Sequence, residues 1–152
     1  MNYHQSSQQK QSSQQKSLKE WGTEYKDELS DLSKVKAERL VEIAEEVGKY
    51  LGGKDVNGID LKMNQIRRFL DAVRRIESEL KGKKFEQIQD SIILLRPKLA
   101  YAAGREEKVK PLMNVLDPAI KSGAKSLENF KTLLRLIEGI IAYHTLNGGK
   151  NN

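Results

Sequence analysis

The fold of this chain is decided by the stretch Gln65–Leu80, QIRRFLDAVRRIESEL, because its two sides differ in chemistry. On a helical wheel of about 100° per residue, the apolar residues share one arc and the arginines gather on the opposite side. The apolar set is Ile66, Phe69, Leu70, Val73, Ile76 and Leu80, and the basic set is Arg67, Arg68, Arg74 and Arg75. This spacing predicts an amphipathic α-helix that buries one side in a core and presents the other to anions.

Apolar residues recur at the same spacing in other parts of the chain, and no segment shows the two-residue alternation of a strand. The remaining predicted helices are Val35–Leu51, Phe85–Leu95, Pro111–Lys121 and Leu127–Leu146. Pro97 cannot donate a hydrogen bond inside a helix, so we expect a kink or a fresh helical start there. The predicted fold class is an all-α, single-domain bundle of about five helices.

Local signals predict where some of these helices begin and end. Asn64 is expected to cap the second helix, because its side chain can accept a hydrogen bond from a free backbone N–H. Gly104 is expected to end the short piece that follows Pro97 in a left-handed conformation. Glu77 lies inside the apolar arc of Gln65–Leu80, so it must pair with a base or sit at the edge of the core.

The two ends of the chain are poor in apolar residues. Residues 1–17 are mostly Gln, Ser and Lys, and SSQQK occurs twice, so we predict a disordered Gln/Ser-rich N-terminal tail. The spacing of Leu18, Trp21, Tyr25, Leu29 and Leu32 predicts a short helix docked on the domain, with Trp21 as a packing anchor. The predicted organisation is a disordered or loosely docked tail over 1–30, a helical bundle domain over 31–148 and a disordered C-terminus over 149–152.

Composition excludes several kinds of site. The chain of 152 residues has no cysteine, which excludes disulfides and thiolate metal sites and favours a cytoplasmic location. His4 and His144 have no partner at metal-ligand spacing, and Asp71 and Glu77 face different directions on their helix. We therefore expect no enzyme activity, metal, cofactor, small-molecule substrate or membrane span.

Positive charge is concentrated in the middle of the chain. Residues 62–110 contain 13 Lys and Arg against 7 Asp and Glu, an excess equal to the net +6 of the whole chain. Exposed helix faces are often charged merely for solubility. Solubility does not require such segregation, however, whereas a surface that binds a polyanion does. Paired arginines two turns apart suit successive phosphates, so a nucleic-acid backbone is the leading ligand candidate.

Two blocks, Lys62–Phe69 (KMNQIRRF) and Leu94–Arg105 (LLRPKLAYAAGR), resemble a known family. They are similar to the small helical subunit of the type III-A CRISPR interference machine, the Csm complex. The segment Phe130–Tyr143 also resembles the last helix of that family, and the likeness extends over about 35–146. The first 30 residues do not match the family, and Asn64 stands where Thr or Ser is commoner.

The resemblance implies a non-catalytic subunit that stacks head to tail in several copies along the groove where crRNA meets target RNA, in antiviral defence. Its implied partners are the phosphate backbones of crRNA and target RNA, and the other subunits of the Csm complex. Combined with the arginine pattern, it gives nine candidate RNA-binding residues. They are Lys62, Gln65, Arg67, Arg68, Arg74, Arg75, Lys98, Tyr101 and Arg105. For Tyr101, a core tyrosine with its hydroxyl at the rim is at least as good an interpretation.

Two other classes of function remain open. One is an assembly module that makes only protein–protein contacts, with the alanine-rich surface near Ala100 and Ala103 docking neighbouring subunits. The other is a helical DNA-binding regulator, which would favour a particular duplex sequence and usually bind as a symmetric dimer.

The RNA-binding hypothesis predicts a dependence on salt. If the four helix arginines each neutralise one phosphate of a single strand, log K should fall with log salt at a slope of about −3.

Overall fold

The computed structural model describes residues 16–55 and 57–148, and this part of the chain is helical without strands. The six long helices are α1 (Ala37–Gly52), α2 (Arg67–Glu79), α3 (Phe85–Ile93), α4 (Leu95–Arg105), α5 (Lys110–Gly123) and α6 (Leu127–Leu146). The predicted all-α class is confirmed. None of the described helices combines the length and the apolarity that crossing a membrane requires.

Helices α1 and α6 make the most extensive contact in the bundle, and glycines allow their backbones to approach closely. A Cβ atom added to Gly48 would lie 2.6 Å from the Cβ of Tyr143 and 2.7 Å from the carbonyl oxygen of Ile140. A Cβ on Gly52 would collide with the backbone oxygen of His144. Only a residue without a side chain fits at these two positions, so the crossing distance depends on them.

The link from α1 to α2 is tied to this helix pair. Leu61 donates its N–H to the carbonyl oxygen of Leu51 over 2.7 Å. Its own carbonyl oxygen lies 2.6 Å from Nε2 of His144, which donates the proton because a carbonyl only accepts. His144 is 2% exposed and is therefore packed inside the bundle. These bonds fix the point from which the chain enters α2.

The apolar side of α2 is buried as its periodicity predicted. Phe69, Leu70, Val73 and Ile76 are each 5% exposed or less, and burial of such a side chain contributes roughly 1.5–3 kcal/mol. Glu77 lies half-buried in the cleft between α2 and α6. This places it at the edge of the core, one of the two positions expected for it.

The predicted start of the second helix was wrong by two residues. Asn64 lies in a 3-10 turn, Met63–Gln65, and α2 begins only at Arg67, after Ile66, without a side-chain cap. The capping bond comes from Gln65 instead, because its Oε1 accepts from the backbone N–H of Lys62 over 2.8 Å. The longer glutamine side chain reaches back one turn, so the cap belongs to the 3-10 turn rather than to the α-helix.

The breaks on either side of α4 were predicted with mixed success. A new helix does start next to Pro97, which is the third residue of α4. A backbone N–H at this position has no acceptor within the helix, so the missing N–H of proline costs no hydrogen bond. The prediction for Gly104 was wrong, because it lies inside α4 and is not among the left-handed residues. The helix ends instead at Arg105, and extended Glu106 caps the following turn by accepting from Lys108 N–H over 3.3 Å.

Residues 17–35, which we call the N-terminal strap, pack against the helical bundle. The Trp21 ring stacks on Tyr50 of α1 with 3.9 Å between centroids, which supports its interpretation as an anchor. The strap also contains a one-turn helix, Lys26–Leu29, and Leu29 and Leu32 are fully buried. Disorder was predicted over 1–17 and 149–152, and of these residues 1–15 and 149–152 lie outside the described part of the chain.

Polar contacts secure the strap on two helices. The amide of Asn114 in α5 donates to the carbonyl oxygens of Lys19 and Trp21, each over 2.9 Å. Arg39 in α1 donates from Nε and Nη2 to the two carboxylate oxygens of Glu28, over 2.8 and 2.7 Å. A forked pair of this geometry is the more favourable kind of surface ion pair.

We expect the substitution Gly48→Ala to lower the free energy of unfolding by about 1–3 kcal/mol, since the added methyl group overpacks the α1–α6 contact. Gly104→Ala is the matched control, because a Cβ there meets nothing within 4 Å. In the interior of α4 it should raise the free energy of unfolding by up to about 1 kcal/mol. Urea unfolding followed by circular dichroism measures both, and equal effects would contradict the close crossing.

Arg39 holds the pKa of the Glu28 carboxyl below its ordinary value of 4.5 through their hydrogen bonds. Because the folded pKa is the lower one, the stabilisation is present above about pH 4.5 and is lost as the pH falls through the folded pKa. Arg39→Gln should return the Glu28 pKa to its ordinary value in an NMR titration. The loss of stability near neutral pH should be below about 1 kcal/mol, since both groups are solvated. Arg135→Gln, on exposed α6 surface, should leave that pKa unchanged.

Candidate nucleic-acid interface

The outward side of α2 carries the four predicted arginines, and all of them are exposed. Arg74 has a carboxylate partner, because its Nη1 lies 3.6 Å from Asp71 one turn earlier. In the described part of the chain, Arg67, Arg68 and Arg75 form no ion pair. Three of the four guanidinium groups are therefore available to an external anion.

The position of Arg67 and Arg68 is unfavourable for the helix itself. They occupy the first turn of α2, which contains no acidic residue. A cation there faces the positive end of the helix dipole, an interaction that costs about 0.3–1 kcal/mol per charge. Burial of the apolar side of α2 outweighs this cost. A local electrostatic conflict that the fold tolerates is typical of a residue kept for binding rather than for stability.

The four arginines do not form one continuous ridge. Arg68 and Arg75 lie two turns apart along one side of α2, about 10 Å from each other in helical rise. Arg74 lies on the other side of Asp71 and lines the cleft between α2 and α6, where Glu77 and Glu138 also lie. The carboxylates give this second side a mixed charge. The side that contains Arg68 and Arg75 is consequently the better candidate for a polyanion.

A groove between the start of α2 and the C-terminal half of α4, which we call the α2–α4 groove, adjoins Arg68. Its volume is about 360 Å³. The polar and charged residues that line it are Asn64, Gln65, Arg68, Lys98, Tyr101, Arg105 and Glu106. Five of the nine predicted RNA-binding residues thus come together here, although they lie up to 40 residues apart in the sequence.

Helix α4 supplies most of the cationic wall of this groove. Lys98, Tyr101 and Arg105 all lie within α4 and are spaced three and four residues apart, so they share one side of the helix. Neither Lys98 nor Arg105 is ion-paired within residues 16–55 and 57–148. We define the basic face as Arg68 and Arg75 of α2 together with Lys98 and Arg105 of α4.

Tyr101 is a surface residue and not a core tyrosine. Its side chain is 60% exposed, so the core interpretation of this residue was wrong. The guanidinium carbon of Arg105 lies 5.9 Å from the centroid of its ring, within the range of a cation–π interaction. Arg105 thereby restricts the ring without burying it.

Lys62 and Gln65 are already engaged within the fold. The ammonium group of Lys62 donates to Asp60 over 3.2 Å. The amide of Gln65 accepts from Lys62 N–H and donates to Glu106 Oε2 over 2.9 Å, which joins the approach to α2 with the turn after α4. These contacts suit both side chains for positioning the groove, and their role in RNA binding stays a prediction.

Sequence reasoning missed Glu106 as part of the site and gave Asn64 a different role. Glu106 forms one wall of the groove through its bond to Gln65, a contact across 41 residues that no local pattern indicates. Asn64 lines the groove because it lies in the 3-10 turn. Within the described residues, no group of three His, Cys, Asp or Glu side chains is placed to hold a metal ion.

The arrangement of Lys62–Arg68 against Lys98–Arg105 joins the two blocks whose sequences resemble the Csm small subunit. The family model described as Csm2 type III-A matches residues 34–150. The chain belongs to the Csm2 family. It is also 31% identical over 121 residues to the CRISPR system Cms protein Csm2 of Streptococcus thermophilus, a match that covers 76% of this chain and 91% of the relative. No solved structure gives a significant match.

Membership of the Csm2 family makes the chain a small subunit of a type III-A CRISPR complex, with other Csm subunits as its partners. The matched part includes all six long helices and both walls of the α2–α4 groove. The resemblance inferred from the sequence over about 35–146 is confirmed. Most of the N-terminal strap lies before the first matched residue.

The electrostatic conflict in α2 generates a stability prediction. The double substitution Arg67→Gln with Arg68→Gln should leave the free energy of unfolding unchanged or raise it by up to about 1 kcal/mol, since it removes charge from the positive end of the helix. Arg96→Gln is the control, because Arg96 donates to both oxygens of Asp117 over 2.8 and 3.2 Å.

The control substitution should lower the free energy of unfolding by up to about 1 kcal/mol, because it breaks a forked surface pair. Thermal unfolding followed by circular dichroism measures both variants under one condition. A clear loss of stability in the Arg67 and Arg68 double variant would show that these arginines hold the fold together, which would contradict the interpretation of a binding surface.

Proposed function

We propose that this Csm2 family member is a non-catalytic RNA-binding subunit that contacts phosphates through its basic face. Several copies stack head to tail along the groove formed by crRNA and target RNA. The observation that carries the proposal is the convergence of Arg68, Lys98 and Arg105 from two helices on one groove, where they form no ion pair in the described part of the chain. Arg75 extends this surface, because it lies two turns further along the same side of α2 as Arg68. Sequence preference is not expected, because guide and target supply the base pairing.

The chemistry of the basic face suits phosphate. Arginine is a planar, permanently charged fork that donates two parallel hydrogen bonds to an oxyanion, and lysine adds a compact point charge. Three of the four cations are arginines. Because they form no ion pair in the described part of the chain, binding a phosphate does not require them to leave an internal carboxylate, so the contact keeps most of its electrostatic free energy.

The expected affinity of one subunit is low and sensitive to salt. Four neutralised phosphates of a single strand give a slope of log K against log salt of about −3, so raising salt from about 50 to 200 mM weakens binding about 50-fold. Copies that share one strand make each further contact effectively intramolecular, which multiplies the affinity of the array. A weak site repeated along the RNA is sufficient for the proposed role.

A purely structural role in assembly is the second candidate, and exposed apolar side chains favour it. Ile93 and Leu94, at the junction of α3 and α4, are 36% and 55% exposed. The alanine-rich surface proposed for such a role is only partly open, because Ala103 is buried against its own fold while Ala100 is exposed. A subunit that served assembly alone would bind complex partners without retaining RNA.

The test compares two triple variants in RNA binding by fluorescence anisotropy. Substitution of Arg68, Lys98 and Arg105 by Gln should reduce the salt slope from about −3 to about −1, since three phosphate contacts are lost. The matched control is Lys26, Lys121 and Lys125 to Gln, which removes the same charge from a different groove beside the strap. The control should keep the wild-type slope.

Equal RNA retention by wild type and by the Arg68, Lys98 and Arg105 variant would contradict the proposed function. Equal loss in both triple variants would show that net charge, and not this surface, determines binding. Duplex DNA and unrelated RNA sequences complete the comparison, because a regulator would prefer one DNA sequence whereas the proposed subunit should bind RNAs of different sequence alike.

A further inference from the structure

The α2–α4 groove contains more than phosphate binding requires. Phosphates need cations, yet this groove also has an exposed aromatic ring, Tyr101, and an apolar floor to which Phe69 and Ala102 contribute. Its rim carries two groups that can form hydrogen bonds, the amide of Asn64 and the carboxylate of Glu106. An aromatic ring beside an apolar floor with a polar rim suits a flat heterocycle rather than an oxyanion.

The exposure of Tyr101 is not explained by packing within the bundle. Aromatic side chains contribute most when their rings are buried, yet this one is 60% exposed on the second turn of α4. No hydrogen bond of its hydroxyl group is found among the described residues. The position therefore leaves a large, flat apolar surface in water between two cations, Lys98 and Arg105.

Arg105 restricts the ring in a way that prepares it for stacking. The guanidinium lies over the Tyr101 ring at 5.9 Å from its centroid, which limits the rotamers available to both side chains. Since the tyrosine keeps most of its exposure, ring surface remains open for a second planar group. A ring held in advance loses less conformational entropy when a ligand stacks on it.

We propose that the α2–α4 groove holds an unpaired nucleobase of the bound RNA, stacked on Tyr101, while the basic face contacts the adjoining phosphates. This inference rests on the proposed function and names the substrate class of the same site: single-stranded or splayed RNA. The groove volume of about 360 Å³ lies within the range of small-ligand sites, about 300–1,000 Å³.

The polar rim defines how a base is held without being selected. The Asn64 side chain, free of internal hydrogen bonds in the described structure, offers both a donor and an acceptor to a base edge. Glu106 accepts from Gln65 and Lys108, and a carboxylate has further acceptor sites for an exocyclic amino group. Stacking is tolerant of sequence because every base has a π-face, so the site should accept all four bases.

The proposal separates single strands from duplexes. In a regular RNA duplex both faces of every base are covered by their neighbours, so Tyr101 has no partner there and only the phosphates remain. Wild type should therefore bind a single strand more tightly than a duplex of equal charge. Loss of the tyrosine ring should reduce this difference.

The experiment uses the full chain at low salt, about 50 mM, with short RNAs that contain the fluorescent base 2-aminopurine. Wild type should quench the 2-aminopurine signal, as stacking does. Tyr101→Ala should abolish the quenching and weaken single-strand binding by about 5- to 150-fold. Its salt slope should equal that of wild type, since no phosphate contact is removed, and its binding to duplex RNA should be unchanged.

Two controls make the result specific to the ring. Tyr101→Phe keeps the ring and should retain the quenching, with binding of the single strand within about threefold of wild type. An oligonucleotide that keeps the sugar-phosphate backbone but lacks the bases should bind wild type and Tyr101→Ala equally. Circular dichroism of both variants should match wild type, because Tyr101 is exposed.

Single-strand binding by Tyr101→Ala equal to that of wild type, with the quenching intact, would overturn the base site while the phosphate-binding function survives. Failure of wild type to retain any RNA at low salt would instead overturn the proposed function itself. If Tyr101→Ala weakened binding of the abasic oligonucleotide as much as binding of the intact strand, the base site would also be overturned. The effect would then lie in contacts to the RNA backbone and not to a base.

Discussion

The close crossing of α1 and α6 is the constraint on which the rest of the structure depends. Gly48 and Gly52 bring the two backbones together beside Tyr143 and His144. His144 then holds the carbonyl oxygen of Leu61, which fixes where the chain leaves α1 and enters α2. A larger helix separation would move this anchor and with it the start of α2, so the α1–α6 contact influences the position of one wall of the groove.

The groove depends equally on the break between α3 and α4. Proline removes a donor, so a helix readily begins where Pro97 falls within its first turn. The new start sets the rotation of α4 and places Lys98, Tyr101 and Arg105 toward α2. The bond from Gln65 to Glu106 then joins the two walls near their ends. The site is therefore built from a local helix start and one long-range hydrogen bond.

Much of the fold follows from apolar periodicity, whereas the site follows only in part. The pattern over Gln65–Leu80 specifies which side of α2 is buried, because burial of four large side chains outweighs every other local term. The weaker local signals for helix ends gave wrong predictions. Asn64 and Gly104 match common cap preferences worth about 1 kcal/mol, and tertiary contacts of Gln65 and Glu106 override such preferences.

The charge pattern of the sequence likewise predicted the site only in part. The sequence showed the basic segment and, with the family resemblance, predicted nine candidate residues, yet it treated the four arginines of α2 as equivalent. The structure separates them, because Arg74 lies with Asp71, Glu77 and Glu138 whereas Arg68 faces the groove. Which neighbouring helix supplies carboxylates and which supplies cations is a property of helix packing, and residue spacing within one helix does not contain it.

The two proposed components of the site respond differently to conditions, and this difference has a consequence for a repeated subunit. Contacts between the basic face and phosphates weaken steeply with salt, because bound counterions are released. Stacking on Tyr101 is nearly independent of salt, since it removes a flat apolar surface from water. A subunit with only cations would bind any polyanion of sufficient charge density, duplexes included. Adding one exposed ring biases the same surface toward strands whose bases are accessible, without any need to read their sequence.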